Sequence, residues 1–414
     1  MKRLYTLLLA LVAVTALQAQ TYMRLWKNNV SDRMTLSEVG EMTFNGQSVN
    51  IKDVNYALSE IDSLVMMPQI NVIWKGAMAT VNVPATMKDD IEVSTLAGHV
   101  TITNKNAWKE VELTLAGDCN NGSLTYEGAF KSTIRLNGLN LTSLSGAALN
   151  IQNGKRIDLV LTNGTQNSLT DASTGTHKAA LYCRGHLEVE GAGSLTVKGN
   201  LGHAIGVNEY LLLKKSTGTI TIAGSAKDAI HCGQYFEMRG GTITWDENMK
   251  GDGIQAEQEL LADGVTPKPE PENTGNLTIS GGSVTGIVSA ETSEGIKCDG
   301  LMTISGGAID LKATGAGARG IKADGGLVIS EDTAPTAITI AASGKQWVNP
   351  NDAKDSTKSG CIRVKGDMIV NAGTITLTYA DGCNSIKFKS DEAGNPTGTL
   401  QINGGTIIAN GKNY

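Results

Sequence analysis

Residues 293–311 read SEGIKCDGLMTISGGAIDL, and this phrase decides the architecture. Ile296, Lys297 and Cys298 alternate in polarity, so a strand here points Ile296 and Cys298 to one side and Lys297 to the other. Gly306 and Gly307 then permit the positive-φ turn that redirects the chain into the next β-rich run, AID. The phrase recurs. It reads AALYCRGHLEVEG from Ala179, GHAIGVNEYLLL from Gly202, KDAIHCGQYFEMRGGTITW from Lys227 and GDGIQAEQ from Gly251. It continues as ARGIKADGGLVIS from Ala318, SGCIRVKGDMIVNAGTITL from Ser359 and CNSIKFKS from Cys383.

One aliphatic residue anchors each copy: Leu181, Ile205, Ile230, Ile254, Ile296, Ile321, Ile362 and Ile386. Successive spacings are 24, 25, 24, 42, 25, 41 and 24 residues, the long ones being one period plus an insertion. A period of this length is too short for tetratricopeptide or propeller units, and no LxxLxLxxN phrase supports a leucine-rich repeat. Helical periodicity is scarce. The expectation is an all-β chain: a right-handed parallel β-helix with coils of about 24–25 residues over 70–414, behind a short N-terminal β strap at 20–69.

Working outward, the insertions are residues 258–275, with PKPEPEN, and about 342–359, with KQWVNPNDAKDSTK. Both flank the anchor strands, as the walls of a groove do. Two residues after the anchor come Cys183, Val207, Cys232, Ala256, Cys298, Ala323, Val364 and Phe388, all apolar, which predicts an inward column. Cys183, Cys232 and Cys298 are therefore expected as buried thiols. A disulfide between Cys361 and Cys383 stays open, since connectivity cannot be read from spacing.

The chain has 414 residues, 49 of them Gly and only 8 Pro, without a G-X-Y period, which excludes collagen. Aromatics are 4%, too few for a broad stacking platform, and the net charge of −6 argues against nucleic acid as a partner. Residues 1–19 are expected to be a secretory signal: Lys2 and Arg3 precede the apolar run LLLALVAVTAL, and Ala19 precedes a cut at Gln20. No run suits a transmembrane helix.

The charged phases carry the candidate chemistry. Two before the anchor stand Asp228, Asp252 and Glu294, and three after it stand Glu257, Asp299 and Asp324. Like charges about 5 Å apart repel by roughly 1 kcal/mol in water and about 3 kcal/mol at an effective dielectric of 20. A hard cation such as Ca²⁺, which takes carboxylates, backbone carbonyls and water, would relieve this. Solvated acids beside lysines are the alternative. One after the anchor stand Lys297, Lys322, Arg363 and Lys387, a row that suits either open solvent or a polyanion such as a uronic-acid chain. The histidines form no HExxH or HxH cluster, so zinc chemistry has little support. Trp347, in the second insertion, is the expected sugar-stacking aromatic, and Trp245 is expected in the core.

The phrases NGTQNSLTD at 163–171, then KDAIHC, GDGIQAE, SEGIKCD and RGIKAD with ISGG and NGG turns, carry a family resemblance. Over roughly residues 70–410 the chain resembles secreted carbohydrate-binding β-helix domains that are similar to pectate lyases but regarded as binding modules. The resemblance implies calcium between coils, affinity for plant-type or acidic polysaccharides, and Asp228 and Asp252 as calcium ligands. Glu294 replaces Asp in the third copy and Arg319 the acid in the fourth. Leader and strap resemble exported proteins of Gram-negative gut-type anaerobes, which implies the periplasm or cell surface. The expected function is non-catalytic, calcium-dependent polysaccharide binding by a monomer. One alternative is a calcium-dependent lyase with Lys297 or Lys322 as base. The other is an adhesin-like surface spacer.

Overall fold

The computed structural model describes residues 21–27 and 30–414, so the expected signal at 1–19 lies outside the described residues. Among the described residues, helix is confined to the short segment Leu36–Val39 and two 3-10 turns. Among the described residues no helix is long and apolar enough to cross a membrane.

A small antiparallel unit comes first. Strand Thr21–Lys27 pairs with Val30–Thr35 and with Ser63–Lys75. A separate three-stranded antiparallel sheet joins Thr43–Asn45, Ser48–Ile51 and Val54–Ala57. Met23, Leu25, Val49 and Ile51 form a core of their own here. Ser63–Lys75 then continues past this unit and pairs in parallel with Val111–Cys119, so one strand serves both parts of the chain.

From there the strands run almost wholly parallel. A 12-stranded sheet carries the anchor strands in reverse chain order, from Asn384–Phe388 back to Gly98–Asn104, with Ile91–Leu96 added antiparallel at its end. The registers set Leu181, Ile205, Ile230, Ile254, Ile296, Ile321, Ile362 and Ile386 opposite one another. The remaining parallel strands belong to one 23-stranded sheet.

The all-β class stands, but the expected right-handed parallel β-helix solenoid is corrected to a closed, barrel-like wall of parallel strands. The long strands Asn276–Val288 and Met302–Ala313 pair over most of their length, through register shifts near Ser280 and Ser283. Gly282 and Gly307 sit at those bends with φ of +87° and +94°, which side-chain-bearing residues rarely adopt. The hydrogen-bond ladder therefore passes the corner instead of stopping there. Spacing reports how often a strand recurs; it carries no information on how strands join laterally.

Inside the wall lies one apolar core from Ile70 to Ala409. The anchors Ile230, Ile254, Ile296 and Ile321 are fully buried, as are Cys183, Cys232 and Cys298 beside them. Burying each such side chain contributes roughly 1.5–3 kcal/mol before entropy is counted. All six cysteines are free, so no disulfide joins Cys361 and Cys383. Trp245 belongs to the core, and only glycine fits against it at Gly286, where a Cβ would lie 1.9 Å from the indole.

Candidate functional site

The outward residues of the 12-stranded sheet form a row one position past the anchors. It runs Tyr182, Gly206, His231, Gln255, Lys297, Lys322, Arg363 and Lys387 in direct register. The four basic residues expected from sequence are thus side by side. Before Tyr182 the same row holds Thr101, Thr125 and Asn150. One face therefore changes along its length from hydroxyl, amide and aromatic groups to cations.

Two hollows open on the neutral half. A hollow of about 690 Å³ is lined by Thr125, Asn150, His177, Lys178 and Tyr182. A second, of about 530 Å³, is lined by Lys178, Tyr182, His203, His231 and Glu259. Lys178 and Tyr182 line both, so the two form one groove along the sheet. Gly206 has no side chain between Tyr182 and His231, which leaves the floor low there. The Lys178 ammonium sits 5.5 Å from the Tyr182 ring centroid, within cation–π reach.

The first insertion forms a wall of this groove. Asn273 fastens it: its Nδ2 donates to the carbonyls of Glu259 and Lys268 at 2.8 and 3.0 Å, and its Oδ1 accepts the Glu259 N–H at 2.7 Å. Lys268 pairs with Glu259 at 2.8 Å. Asn208 on the floor donates to Glu259 Oε1 at 3.1 Å and accepts from Lys178 at 3.4 Å. The second insertion folds as a hairpin of Trp347–Asn349 and Asp352–Thr357 near Arg319. Trp347 is half-buried there and donates Nε1–H to Glu291 at 3.2 Å, away from the residues lining the groove.

Of the acids expected to hold metal, Asp228, Asp252 and Glu294 come together as a buried to half-buried row. Their oxygens already have partners. Asp228 Oδ1 accepts the N–H of Asp252 at 2.8 Å, and Asp252 Oδ1 accepts the N–H of Glu294 at 2.7 Å. Asp252 Oδ2 faces the Lys297 ammonium at 3.3 Å, and Glu294 pairs with Arg319 at 2.7 Å. Lys297 and Arg319 thus neutralise this row, as the alternative of acids beside lysines expects for Lys297. Oxygens aimed at N–H groups and cations do not suit calcium, so calcium does not fit this row. Glu257, Asp299 and Asp324 line up separately on the half-exposed edge, where backbone bonds continue the ladder. Asp299 Oδ2 accepts the Gln258 N–H at 3.2 Å, Asp324 faces the Lys322 ammonium at 3.4 Å, and the three carboxylates do not converge on one point.

Charge perturbations follow from this packing. Burial works against ionisation of Asp228, but hydrogen bonds from His203 and His231 outweigh it and hold the carboxyl well below its usual range. Asp252 goes the other way: burial first, then the Glu294 carboxylate, push it up to about 7 against the pull of Lys297. Burial opposes the charge on Lys297, yet Asp252 and Glu294 outweigh it and raise its pKa. A lysine so held stays protonated and makes a poor base for the lyase alternative.

Tyr182, Lys178, His203, Asn208 and Glu259 escaped the sequence reading. The signal for His203 was present: it shares the phase of Asp228, and His231 follows one strand later. Reading neighbouring phases as one surface would have found the pair.

Residues 97–413 match the family described as carbohydrate-binding domain-containing protein. A protein of that description from Acetivibrio thermocellus is 29% identical over 119 residues, covering 26% of this chain and 41% of the relative. The chain spans less than half the length of that relative. Among solved structures, the polysaccharide lyase-like protein from C. thermocellum, as a gadolinium derivative, is similar with a TM-score of 0.49 and 20% identity. That match covers 65% of this chain and 99% of the other.

Proposed function

The chain belongs to the family of carbohydrate-binding domain-containing proteins, and we propose that its outward 12-stranded face binds a polysaccharide chain. The observation that carries this reading is the continuity of the two hollows through Lys178 and Tyr182. A long shallow groove floored by hydroxyl, amide and one aromatic side chain suits successive sugar units. Tyr182 supplies an apolar ring face, and the flanking polar groups supply hydrogen bonds. The row Lys297, Lys322, Arg363 and Lys387 prolongs the face; Asp252 and Asp324 engage the first two, so that an acidic glycan gains its ionic contacts chiefly from Arg363 and Lys387.

The finer parts of the proposal are calcium and location. Calcium would be held along the edge that carries Glu257, Asp299 and Asp324, where it would offset negative charge beside the sugar path. Export to the periplasm or surface of a Gram-negative cell is proposed from the leader-like run at 1–19.

The test is retention of the chain on a polysaccharide panel that includes polygalacturonate, with calcium and with chelator. The supernatants are read for the ultraviolet absorbance of unsaturated uronides. Retention without absorbance is expected, reduced by chelator and by Asp299→Asn with Asp324→Asn. Absence of retention on every glycan would remove the binding proposal, and rising absorbance would replace it with lyase activity. Retention indifferent to chelator would remove calcium alone.

A further inference from the structure

We infer that His203, Asp228 and His231 form a binding site for a zinc-class divalent transition metal in the floor of the groove. The Nδ1 atoms of His203 and His231 lie 3.2 and 3.3 Å from Asp228 Oδ2. One ligand atom from each residue falls within 4.8 Å of the others. Two ligands of a tetrahedral zinc ion, each about 2.0–2.1 Å from the metal, stand roughly 3.4 Å apart. The two nitrogen–oxygen edges therefore already have the length that a shared ion would set.

His203 is held in place by its surroundings. The backbone N–H of Asp228 points at its Nδ1 at 3.2 Å. The same nitrogen faces the Asp228 carboxylate. A metal ion or a ring proton can bridge that nitrogen–oxygen contact. The rings of His203 and His231 stack at 4.5 Å with 23° between planes, and both present Nδ1 to Asp228 Oδ2. A metal is bound by both rings in their neutral form.

The surroundings fit a metal centre. Asp228 Oδ1 is fixed by the Asp252 N–H, the kind of supporting bond that orients a ligating carboxylate. Glu257 stands outside this trio, its Oε1 accepting the Gln255 amide, so the three ligands come from His203, Asp228 and His231 alone. Both histidines line the hollow, so a remaining coordination position opens to solvent or to a ligand oxygen. Two imidazoles with carboxylate suit zinc, cobalt or iron, whereas calcium takes oxygens alone.

The full chain, stripped with chelator, is titrated with Co²⁺ and followed by visible absorption, then challenged with Zn²⁺ or Ca²⁺. One equivalent of Co²⁺ should give d–d bands that Zn²⁺ abolishes and Ca²⁺ does not. His203→Gln and His231→Gln should each weaken Co²⁺ binding by at least about tenfold. His186→Gln, whose ring stacks on Tyr210, should leave it unchanged. Absence of bands, or their survival when His203→Gln and His231→Gln are combined, would overturn the site. Should the variants fail to fold, carbethoxylation of the wild-type chain mapped by mass spectrometry decides: Zn²⁺ should protect His203 and His231, and equal labelling with and without Zn²⁺ would overturn the inference. No glycan is present in either measurement, so the outcome is independent of polysaccharide binding.

Discussion

Asp228 accepts the backbone N–H of Asp252 at 2.8 Å, so a carboxylate on one strand level holds the main chain of the next. Asp252 repeats the contact with the N–H of Glu294 at 2.7 Å. Acidic side chains at one phase thereby act as fasteners between neighbouring levels. His203 and His231 contact the row at one end, and Lys297 and Arg319 meet its charge at the other.

Asp252 should make stability pH-dependent near neutrality. Its pKa is pushed up from 3.8 to about 7 in the folded chain by burial and by Glu294. The folded state therefore holds the proton more tightly than the unfolded state. The associated stability is present below the ordinary value and is lost as pH rises through the folded one. Melting temperature should fall from about pH 5 to about pH 8, and Asp252→Asn, which keeps an acceptor for the Glu294 N–H, should flatten the curve. Parallel wild-type and variant pH profiles would refute this role.

Arg319 and Glu294 form a buried ion pair, with side-chain exposures of 9% and 5%. Arg319→Ala should destabilise the fold by about 3–5 kcal/mol, because it leaves the Glu294 charge buried and unpaired. Replacing both, as Glu294→Leu with Arg319→Met, should cost clearly less. Denaturant unfolding of the three chains checks the order. A double variant as unstable as Arg319→Ala would show that the pair is not the source of the effect.

Tyr182→Ala should weaken polysaccharide retention by about tenfold while changing melting temperature little, since the ring is half-buried on the outer face. Trp347→Ala should affect stability more than retention, because Trp347 packs against Gly317 and bonds Glu291. Affinity electrophoresis with thermal melts separates the two. The reverse pattern would return the sugar contact to the second insertion.

The thiols of Cys183 and Cys298 are both pushed up to about 12, in each case chiefly by burial. At pH 8 neither should react with iodoacetamide in the native chain, while denaturant should expose all six cysteines. Mass spectrometry of the alkylated peptides gives the answer. Rapid native labelling of Cys183 would contradict its place in the inward column.

Much of the strand order was legible because side-chain direction in a strand has period two and the anchors recur at constant phase. Ile296 and Cys298 inward with Lys297 outward follow from that alone, and the registers agree. The acidic phases were also legible as rows. Their meaning was not, since whether Asp252 meets a cation or a main-chain N–H depends on angstrom-scale backbone placement. The closure of the wall was misjudged for a related reason: Gly282 and Gly307 could mark either an interrupted or a continuous sheet, and only the pairing of Asn276–Val288 with Met302–Ala313 distinguishes them.

By itself, the sequence determined that this chain is built of short parallel strands with one apolar and one polar side, because alternation and phase are properties of the chain order. Tertiary structure alone decided which polar residues meet. It set Tyr182 beside the groove, joined His203 to His231 across Asp228, and gave Asp252 and Glu294 to Lys297 and Arg319. These contacts arise between levels 24 or more residues apart, where register and the route of each insertion govern distance.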